Sequence, residues 1–242
     1  MKSKNSNLIT ILIAVVIIIG LVLYFNSSKE KTTLNVSGSS TIEALADEAS
    51  VYIGIETLKK AAEESKNENS EISEKVLNAL EYAGINKENI ETSSYNIYPE
   101  YDWSNNNQEL KGYKTSNILK ITTRNFDEIG RIVDVSIDNG ATSIQSINFE
   151  LSEEKQNEFK QEAISKASED ARAKAEATVQ GLDSELGRVK QVTVSDYNYY
   201  PYQYFLAESG GGIEEARKAA DIEIAPRKLE VTANINVVFE LN

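Results

Sequence analysis

Apolar residues recur along this chain with two different periods, and each change of period predicts a change of secondary structure. Val51, Ile53 and Ile55 occupy every second position, which is typical of a half-buried strand. Leu34 and Val36 mark a similar strand just before it. We expect these two strands to pair as a hairpin at the start of the folded domain.

The last segment of the chain is the clearest strand. Its polar residues, from Glu230 to Glu240, fall on one face, and its apolar residues fall on the other. This pattern predicts an antiparallel sheet with one covered face. The apolar face comprises Leu229, Val231, Ala233, Ile235, Val237, Phe239 and Leu241.

A helical period replaces the strand period between Lys59 and Ala83. Ile72, Val76 and Leu80 recur every four residues, and Gly84 supplies a stop. The middle of this helix, "EESKNENSE", is polar, and we expect it to face water.

The longest predicted helix runs from Glu153 to Gln180 and is closed by Gly181. Alanine favours helix formation and leaves a flat seam that permits close approach to a partner. Two interpretations remain open: the helix lies on a sheet, or the seam joins two subunits. The seam follows Phe159 at steps of four residues, through Ala163, Ala167, Ala171 and Ala175.

These elements predict an α+β fold in which long helices cover an antiparallel sheet. Both halves show the same order of strand, long helix, strand, Tyr-Asn-x-Tyr-Pro and closing strand. We therefore hypothesise a duplicated βαββ plan around one sheet. This hypothesis requires Tyr95 and Tyr197 to occupy equivalent strand ends.

Tyrosines cluster in two stretches, "SSYNIYPEYDW" (Ser93 to Trp103) and "SDYNYYPYQYF" (Ser195 to Phe205). Tyrosine suits positions where one end of the side chain is apolar and the other is wet, and proline suits strand ends. Three roles are open: an aromatic plug at the sheet ends, a protein interface, or a stacking surface for glycan rings. The candidate interface residues are Tyr95, Tyr98, Tyr101, Trp103, Tyr197, Tyr199, Tyr200, Tyr202 and Tyr204.

An uncharged stretch of 18 residues, Leu8 to Phe25, precedes the domain. At about 1.5 Å per residue it spans roughly 27 Å, close to the hydrocarbon core of a bilayer. It exceeds the usual apolar run of a signal peptide, about 7–15 residues, and no Ala-x-Ala-like site follows it. We expect one transmembrane helix within an anchor and linker, residues 1–33, followed by an extracytoplasmic domain, residues 34–242. Lys2 and Lys4 favour a cytoplasmic N-terminus.

Composition excludes several functions. The formal charge of −13 repels phosphate backbones, so we expect no nucleic-acid partner. The chain has no cysteine and no histidine, which excludes thiol nucleophiles, Ser-His-Asp arrangements and the common zinc sites. Carboxylates such as Glu100 or Asp102 resemble a glycosidase pair only by chance in so acidic a chain. No calcium-loop motif occurs either. With these kinds of site set aside, we expect no catalytic activity, no cofactor and no metal site.

Several segments together resemble the SIMPL-domain family. They include "GINKENIETSSYNIYPEYD", "GYKTSNILKITTRNFDEIGRIVDVSIDNGATSIQSINFEL", "DARAKAEATVQGLDSELGRVKQVTVSD" and "PRKLEVTANINVVFEL". The resemblance covers about residues 34–242. That family includes periplasmic immunogenic proteins and bacterial proteins linked to oxidative-stress defence. The resemblance implies an exported, self-associating protein and provides no catalytic residues.

The expected function is therefore that of a membrane-anchored, homo-oligomeric scaffold or interaction module of the cell envelope. The alternative is an envelope glycan-binding protein, with or without weak hydrolase activity. Partners would be copies of itself, another envelope protein or a glycan, and the membrane through residues 8–25.

Overall fold

The computed structural model describes residues 15–20, 32–103, 108–204 and 228–242. The chain divides into two compact units, and the divisions fall within the longest helix and three strands. Unit 1 comprises Met1–Ser40, Ile164–Asp196 and Asn234–Asn242, and unit 2 comprises Thr41–Ala163 and Tyr197–Ala233.

Strands and helices are mixed along the chain, which confirms the predicted α+β class. The six residues 15–20 are helical, and Lys87–Asn89 form one turn of 3₁₀ helix. The remaining elements are β1 (Thr33–Leu45), β2 (Glu48–Lys59), α1 (Ala62–Tyr82), β3 (Ile90–Asp102), β4 (Glu109–Thr123), α2 (Glu128–Asp138), β5 (Ser143–Glu150), α3 (Glu153–Gly181), β6 (Leu186–Tyr199), β7 (Tyr202–Tyr204) and β8 (Lys228–Leu241).

Across the described ranges, no helix has both the length and the apolar character needed to cross a membrane. Of the predicted anchor, residues 8–25, only residues 15–20 belong to those ranges. Residues 8–14 and 21–25 lie outside them.

A five-stranded sheet forms the framework of unit 2. Its order is β3-β4-β2-β5-β7, and each neighbouring pair is antiparallel. Val51, Ile53 and Ile55 of β2 are fully buried, together with Leu119 and Ile121 of β4. The predicted hairpin of the first two strands is wrong, because β4 and β5 occupy both edges of β2.

A second sheet contains three strands in the order β1-β8-β6. Hydrogen bonds link Thr32 to Leu241 and Ser37 to Asn236, so residue numbers fall along β8 as they rise along β1. Asn236 also forms a hydrogen bond with Ser195, and Glu240 with Arg188. Residue numbers therefore fall along β6 as they rise along β8. This sheet is therefore antiparallel as well.

The hypothesis of a duplicated plan around one sheet is wrong. The equivalent strands divide between two sheets, with β3 in the five-stranded sheet and β6 in the three-stranded sheet. Tyr95 lies in the middle of β3, whereas Tyr197 lies near the end of β6. The repeated order of elements does not produce repeated pairing, because hydrogen-bond partners are chosen by burial of each face and not by order alone.

The alternation predicted for the last strand is confirmed for the six apolar residues from Leu229 to Phe239, which are all buried. Glu240 departs from the pattern, since it is buried too. Arg188 Nε and Nη2 donate to the two carboxylate oxygens of Glu240, each at 3.0 Å. This bidentate pair compensates the buried charge at the end of β8.

The alanine seam of α3 lies on a sheet, which agrees with the interpretation that this helix covers a sheet. Ala167 and Ala171 are fully buried, and Gly38 of β1 lies directly beneath them. A Cβ atom at Gly38 would lie 2.0 Å from the carbonyl oxygen of Ala167 and 2.7 Å from the Cβ of Ala171. Small residues on both sides thus set the spacing of helix and sheet within unit 1.

Helix α3 ends one residue later than predicted. Gly181 is its last residue, and the left-handed conformation that follows belongs to Asp183, with φ of 49°. The amide of Ser184 donates to the carbonyl of Val179 at 3.1 Å and closes the final turn.

Helix α1 begins at Ala62, three residues later than predicted. Its polar middle, residues 63–71, faces water as predicted at six of nine positions, and within it only Ser65 and Asn69 are buried. Ser73, one turn further on, is buried as well. Ser65 Oγ lies 2.9 Å from Thr115 Oγ1 and donates to the carbonyl of Thr57 at 3.1 Å. A buried hydroxyl with such partners loses little on leaving water.

The same row of bonds continues along the sheet. Asn69 Nδ2 donates to the carbonyl of Ile55 at 2.8 Å, and Ser73 Oγ donates to Asn69 Oδ1 at 3.4 Å. Asn117 Nδ2 then donates to Ser73 Oγ at 2.9 Å. We call this row, from Thr57 to Asn117, the polar ladder.

The start of α3 is fixed within unit 2 by three side chains. Asp47 accepts hydrogen bonds from the Ser152 amide and hydroxyl, both at 2.7 Å. The Tyr199 hydroxyl accepts from the Leu151 amide at 2.6 Å. Gln156 Nε2 donates to the Leu151 carbonyl at 2.7 Å, so the backbone polar groups at this turn are paired.

Gly38→Ala should lower the free energy of unfolding by about 1–3 kcal/mol, because the added methyl group overpacks the contact with α3. Gly181→Ala is the matched control, since nothing lies within 4 Å of its added Cβ. The control should be neutral or stabilising by up to about 1 kcal/mol through helix propensity. Urea unfolding followed by circular dichroism measures both, and equal effects would contradict the packing argument.

Tyr199→Phe should change how stability depends on pH. Burial raises the pKa of Tyr199 from 10.0 to about 12, so its neutral form stabilises the fold fully below pH 10. That contribution is lost as the pH rises through about 12. The variant should be less stable near pH 8, because the Leu151 amide loses its acceptor, and the difference should narrow toward pH 12. Denaturant titrations across this range test it, and a constant difference would contradict the burial argument.

Candidate functional site

The first tyrosine stretch lies on β3, an edge strand of the five-stranded sheet. Tyr95 pairs in register with Asn117, and Tyr98 pairs with Lys114. Because residues three apart on a regular strand point to opposite faces, these two tyrosines face opposite sides of the sheet. Their exposed fractions are nearly equal, 43% for Tyr95 and 42% for Tyr98.

Beyond Tyr98, β3 and β4 extend past the rest of the sheet. The last pair between β2 and β4 is Lys59 with Tyr113, so the strand residues beyond it pair only with each other. We call residues 98–103 and 108–113 the hairpin arm. An arm without a third strand exposes side chains on both faces.

The hairpin arm carries a cluster of exposed apolar side chains. Trp103 is 70% exposed, and its ring centroid lies 6.5 Å from that of Tyr101 at a tilt of 59°. Leu110 on β4 and Leu58 at the end of β2 are exposed as well. Trp103 and Tyr101 thus form an aromatic pair that is open to solvent, with Leu110 directly opposite Tyr101, whereas Leu58 lies in the row of Lys114 and Tyr98 on the other face.

Ion pairs flank this surface. Lys114 Nζ lies 2.6 Å from Glu56, and this hydrogen bond raises the pKa of Lys114. Lys111 Nζ lies 3.6 Å from Glu100, so one carboxylate of the resembled glycosidase pair is already engaged. The arm therefore presents an apolar cluster with a charged margin, the arrangement typical of protein interfaces.

The second stretch behaves differently. Tyr197 and Tyr199, at the end of β6, are half-buried against the start of α3. The Tyr197 hydroxyl lies 3.5 Å from the Gln156 carbonyl, and Lys160 Nζ lies 5.0 Å from its ring centroid. Burial raises the pKa of Tyr197, in the same direction as for Tyr199. These contacts are those expected of an aromatic plug.

The rest of this stretch lies at the far edge of the five-stranded sheet. Tyr200 is 74% exposed, just before Pro201. Tyr202 pairs in register with Phe149, and Tyr204 pairs with Ile147. The two tyrosine stretches thus meet opposite edges of one sheet, and the structure does not bring their nine residues into one site.

A feature that sequence reasoning missed is a cavity between α1, β3 and β4, which we call the α1–β3 cavity. Its volume is about 470 Å³. Polar side chains from all three elements line it, and Tyr95 contributes its ring. Ser73 and Asn117 line it although both are buried, and nothing in their local sequence signals that burial.

The structure also identifies a carboxyl group with a shifted pKa, which the sequence did not indicate. Among the described residues, Glu150 is the one carboxyl group whose pKa is raised, by burial in the face of the sheet that also carries Lys120. In those same residues, no group of three or more acidic side chains is arranged to hold a metal ion. Glu150 was not among the sequence candidates, since nothing in its local sequence signals burial.

Comparison with known proteins gives one match to a family model. The SIMPL model, described as "Protein of unknown function (DUF541)", matches residues 34–239. This range agrees closely with the span of the resemblance noted in the sequence.

Two relatives illustrate the similarity. "Uncharacterized protein YggE" of Escherichia coli (strain K12) is 26% identical over 165 residues, which cover 68% of this chain and 66% of that protein. The chain thus spans slightly less than two thirds of that relative. The "26 kDa periplasmic immunogenic protein" of Brucella melitensis biotype 1 is 27% identical over 255 residues and covers both chains completely. The family model matches most of the residues of this chain, which therefore belongs to the SIMPL family.

Proposed function

We propose that this chain is a membrane-anchored, extracytoplasmic interaction module of the cell envelope that associates with copies of itself through the hairpin arm. The observation that carries this proposal is the exposed apolar cluster around Trp103. A soluble surface gains nothing from an exposed indole beside exposed leucines, whereas an interface buries them with a large gain in free energy.

The position of the hairpin arm supports the same role. It lies at an edge of the sheet, and no strand among the described residues pairs with the outer side of β3. Beyond Pro99 and Tyr113 no third strand is present among the described residues, so a partner can reach both faces. Trp103 and Tyr101 on one face and Tyr98 on the other would form the contact, and the Lys111–Glu100 pair would lie at its rim.

The extracytoplasmic location is supported by two observations. The uncharged run of residues 8–25 matches a bilayer in length. The Brucella relative, similar over its whole length, is named a periplasmic protein. A stress-protective role follows only from the family resemblance. Because the chain has no cysteine and Met1 is its only methionine, the protein would exert such a role through association and not through thiol chemistry.

Catalysis is not part of the proposal. The names of the relatives describe no enzyme. The glycan-binding alternative draws support from the α1–β3 cavity and not from the hairpin arm.

Replacing Tyr98 and Trp103 together by Ser should weaken self-association roughly 700-fold or more, because each aromatic contributes about 2 kcal/mol or more and every 1.4 kcal/mol is tenfold. Light scattering of residues 32–242 at several concentrations measures it, with Thr32 retained because its carbonyl accepts from Leu241. Circular dichroism should be unchanged.

Two single variants serve as controls. Tyr82→Ser removes a tyrosine that is 97% exposed at the end of α1, outside the hairpin arm, and should leave association unchanged. Tyr200→Ser tests the second stretch separately. The interface would be refuted if the wild-type chain stayed monomeric at every concentration, or if Tyr82→Ser weakened self-association as much as the double variant does. Loss of the fold in the double variant would instead support the aromatic plug.

Deleting residues 1–31 should release the protein from membranes. The full chain should sediment with membranes and resist extraction at alkaline pH, because an apolar run of this length partitions into the hydrocarbon core. A variant with Ile13, Val16 and Ile19 replaced by Asp should behave like the deletion, while substitution of the same residues by Leu should not. Release of the intact chain by high salt alone would rule out a transmembrane anchor.

A further inference from the structure

The α1–β3 cavity contains a polar group that the protein leaves unpaired. Asn117 is only 7% exposed, and its Nδ2 donates to Ser73 Oγ at 2.9 Å. Its Oδ1 is shielded from solvent and has no hydrogen-bond partner within the described ranges. A buried acceptor without a partner is unfavourable, so native proteins rarely retain one without a function.

The orientation of this amide does not remove the problem. Exchanging Oδ1 and Nδ2 of Asn117 would let the oxygen accept from Ser73, but the nitrogen would then lack an acceptor. The remaining ladder residues, Thr57, Ser65, Asn69 and Ser73, all have partners. The single unsatisfied group of the ladder therefore lies at its end, in the cavity wall.

Four charged residues line the cavity, Glu74, Glu81, Lys87 and Glu91. Glu81 lies 3.7 Å from Lys87, and Glu91 lies 3.1 Å from Lys120, which is outside the lining. Glu74 remains as the one lining carboxylate for which no ion pair is formed with the described residues. The site thus repels anions and offers a cation only one carboxylate.

Apolar surface completes the lining. Leu77, Ile90 and Leu119 form part of the wall, and the half-exposed ring of Tyr95 borders it. Next to the cavity, β3 contains a bulge between Thr92 and Ser94, an irregularity that often re-aims side chains at binding sites. The wall therefore combines an aromatic ring, aliphatic groups, amides and hydroxyls.

We propose that the α1–β3 cavity binds a neutral, hydroxyl-rich ligand of one or two sugar rings. Hydroxyl groups both donate and accept, so they match the hydroxyl and amide side chains that line the cavity, whereas an ammonium group only donates. The apolar face of a sugar ring packs on Tyr95 and the aliphatic wall, and a volume of about 470 Å³ lies within the range of small-molecule sites. This inference deepens the glycan alternative and is independent of self-association.

The test uses the full chain in a detergent without a sugar head group, titrated calorimetrically with maltose, N,N′-diacetylchitobiose and spermidine. At least one disaccharide should bind saturably, and Tyr95→Ala should lower that affinity about tenfold or more. Tyr98→Ala is the matched control, equal in exposure on the opposite face of β3, and should bind normally. Glu74→Gln should also retain disaccharide binding, because a neutral ligand does not need its charge.

Three results would overturn the proposal. No saturable binding of either disaccharide up to about 10 mM would exclude a site of useful affinity. Equal loss in Tyr95→Ala and Tyr98→Ala would place the ligand elsewhere on the molecule. Spermidine binding that Glu74→Gln abolishes, without disaccharide binding, would assign the cavity to cations. Light scattering of the same samples measures self-association independently, so a failure of ligand binding can be distinguished from a failure of self-association.

Discussion

The polar ladder between α1 and the five-stranded sheet is the constraint on which the architecture of unit 2 depends. A helix that buries serine and asparagine can lie on a sheet only where every polar group finds a partner. Asn69 meets this condition by donating to the Ile55 carbonyl, which fixes both the position of the helix along β2 and its rotation. Apolar contacts alone would tolerate a shift of one turn, whereas the hydrogen bonds do not.

The same constraint explains which predictions succeeded. Strict alternation in β8 and the alanine seam of α3 predicted the buried faces, because in both cases hydrophobic burial alone selects the face. Ser65 and Asn69, in the middle of α1, were misassigned for the opposite reason. Polarity normally signals exposure, and only the three-dimensional position of Thr57 and Thr115 shows that Ser65 is paired inside.

Strand pairing was less predictable than strand existence. The strands of β1 and β2 are separated by only two residues, yet β2 pairs with β4 and β5. Each edge of a central strand selects the partner that best covers its two faces, and sequence distance enters only weakly. The cavity was equally hard to predict from the sequence. It is enclosed by α1, β3 and β4, and these elements come together only once β3 has paired with β4.

Two copies of one local motif show how context determines role. Tyr-Asn-x-Tyr-Pro lies along an open edge in β3 and at a buried strand end in β6. In the second copy the hydroxyl of Tyr199 satisfies a backbone amide, so this tyrosine belongs to the fold. In the first copy Ile97 occupies the position of Tyr199, and Tyr98 is exposed, as is its equivalent Tyr200 in the second copy. Composition alone could identify both stretches but could not separate their roles.

An edge strand offers three independent surfaces, and β3 presents all of them. Its backbone edge faces a potential neighbouring strand, Tyr98 lies on one face, and Tyr95 borders the cavity on the other. Successive side chains alternate, so Tyr101, six residues beyond Tyr95, follows the face of Tyr95, whereas Tyr98 points to the other face. The proposed association through the hairpin arm and the proposed ligand binding in the cavity therefore use different side chains, although Tyr101 and Tyr95 share one face of the strand.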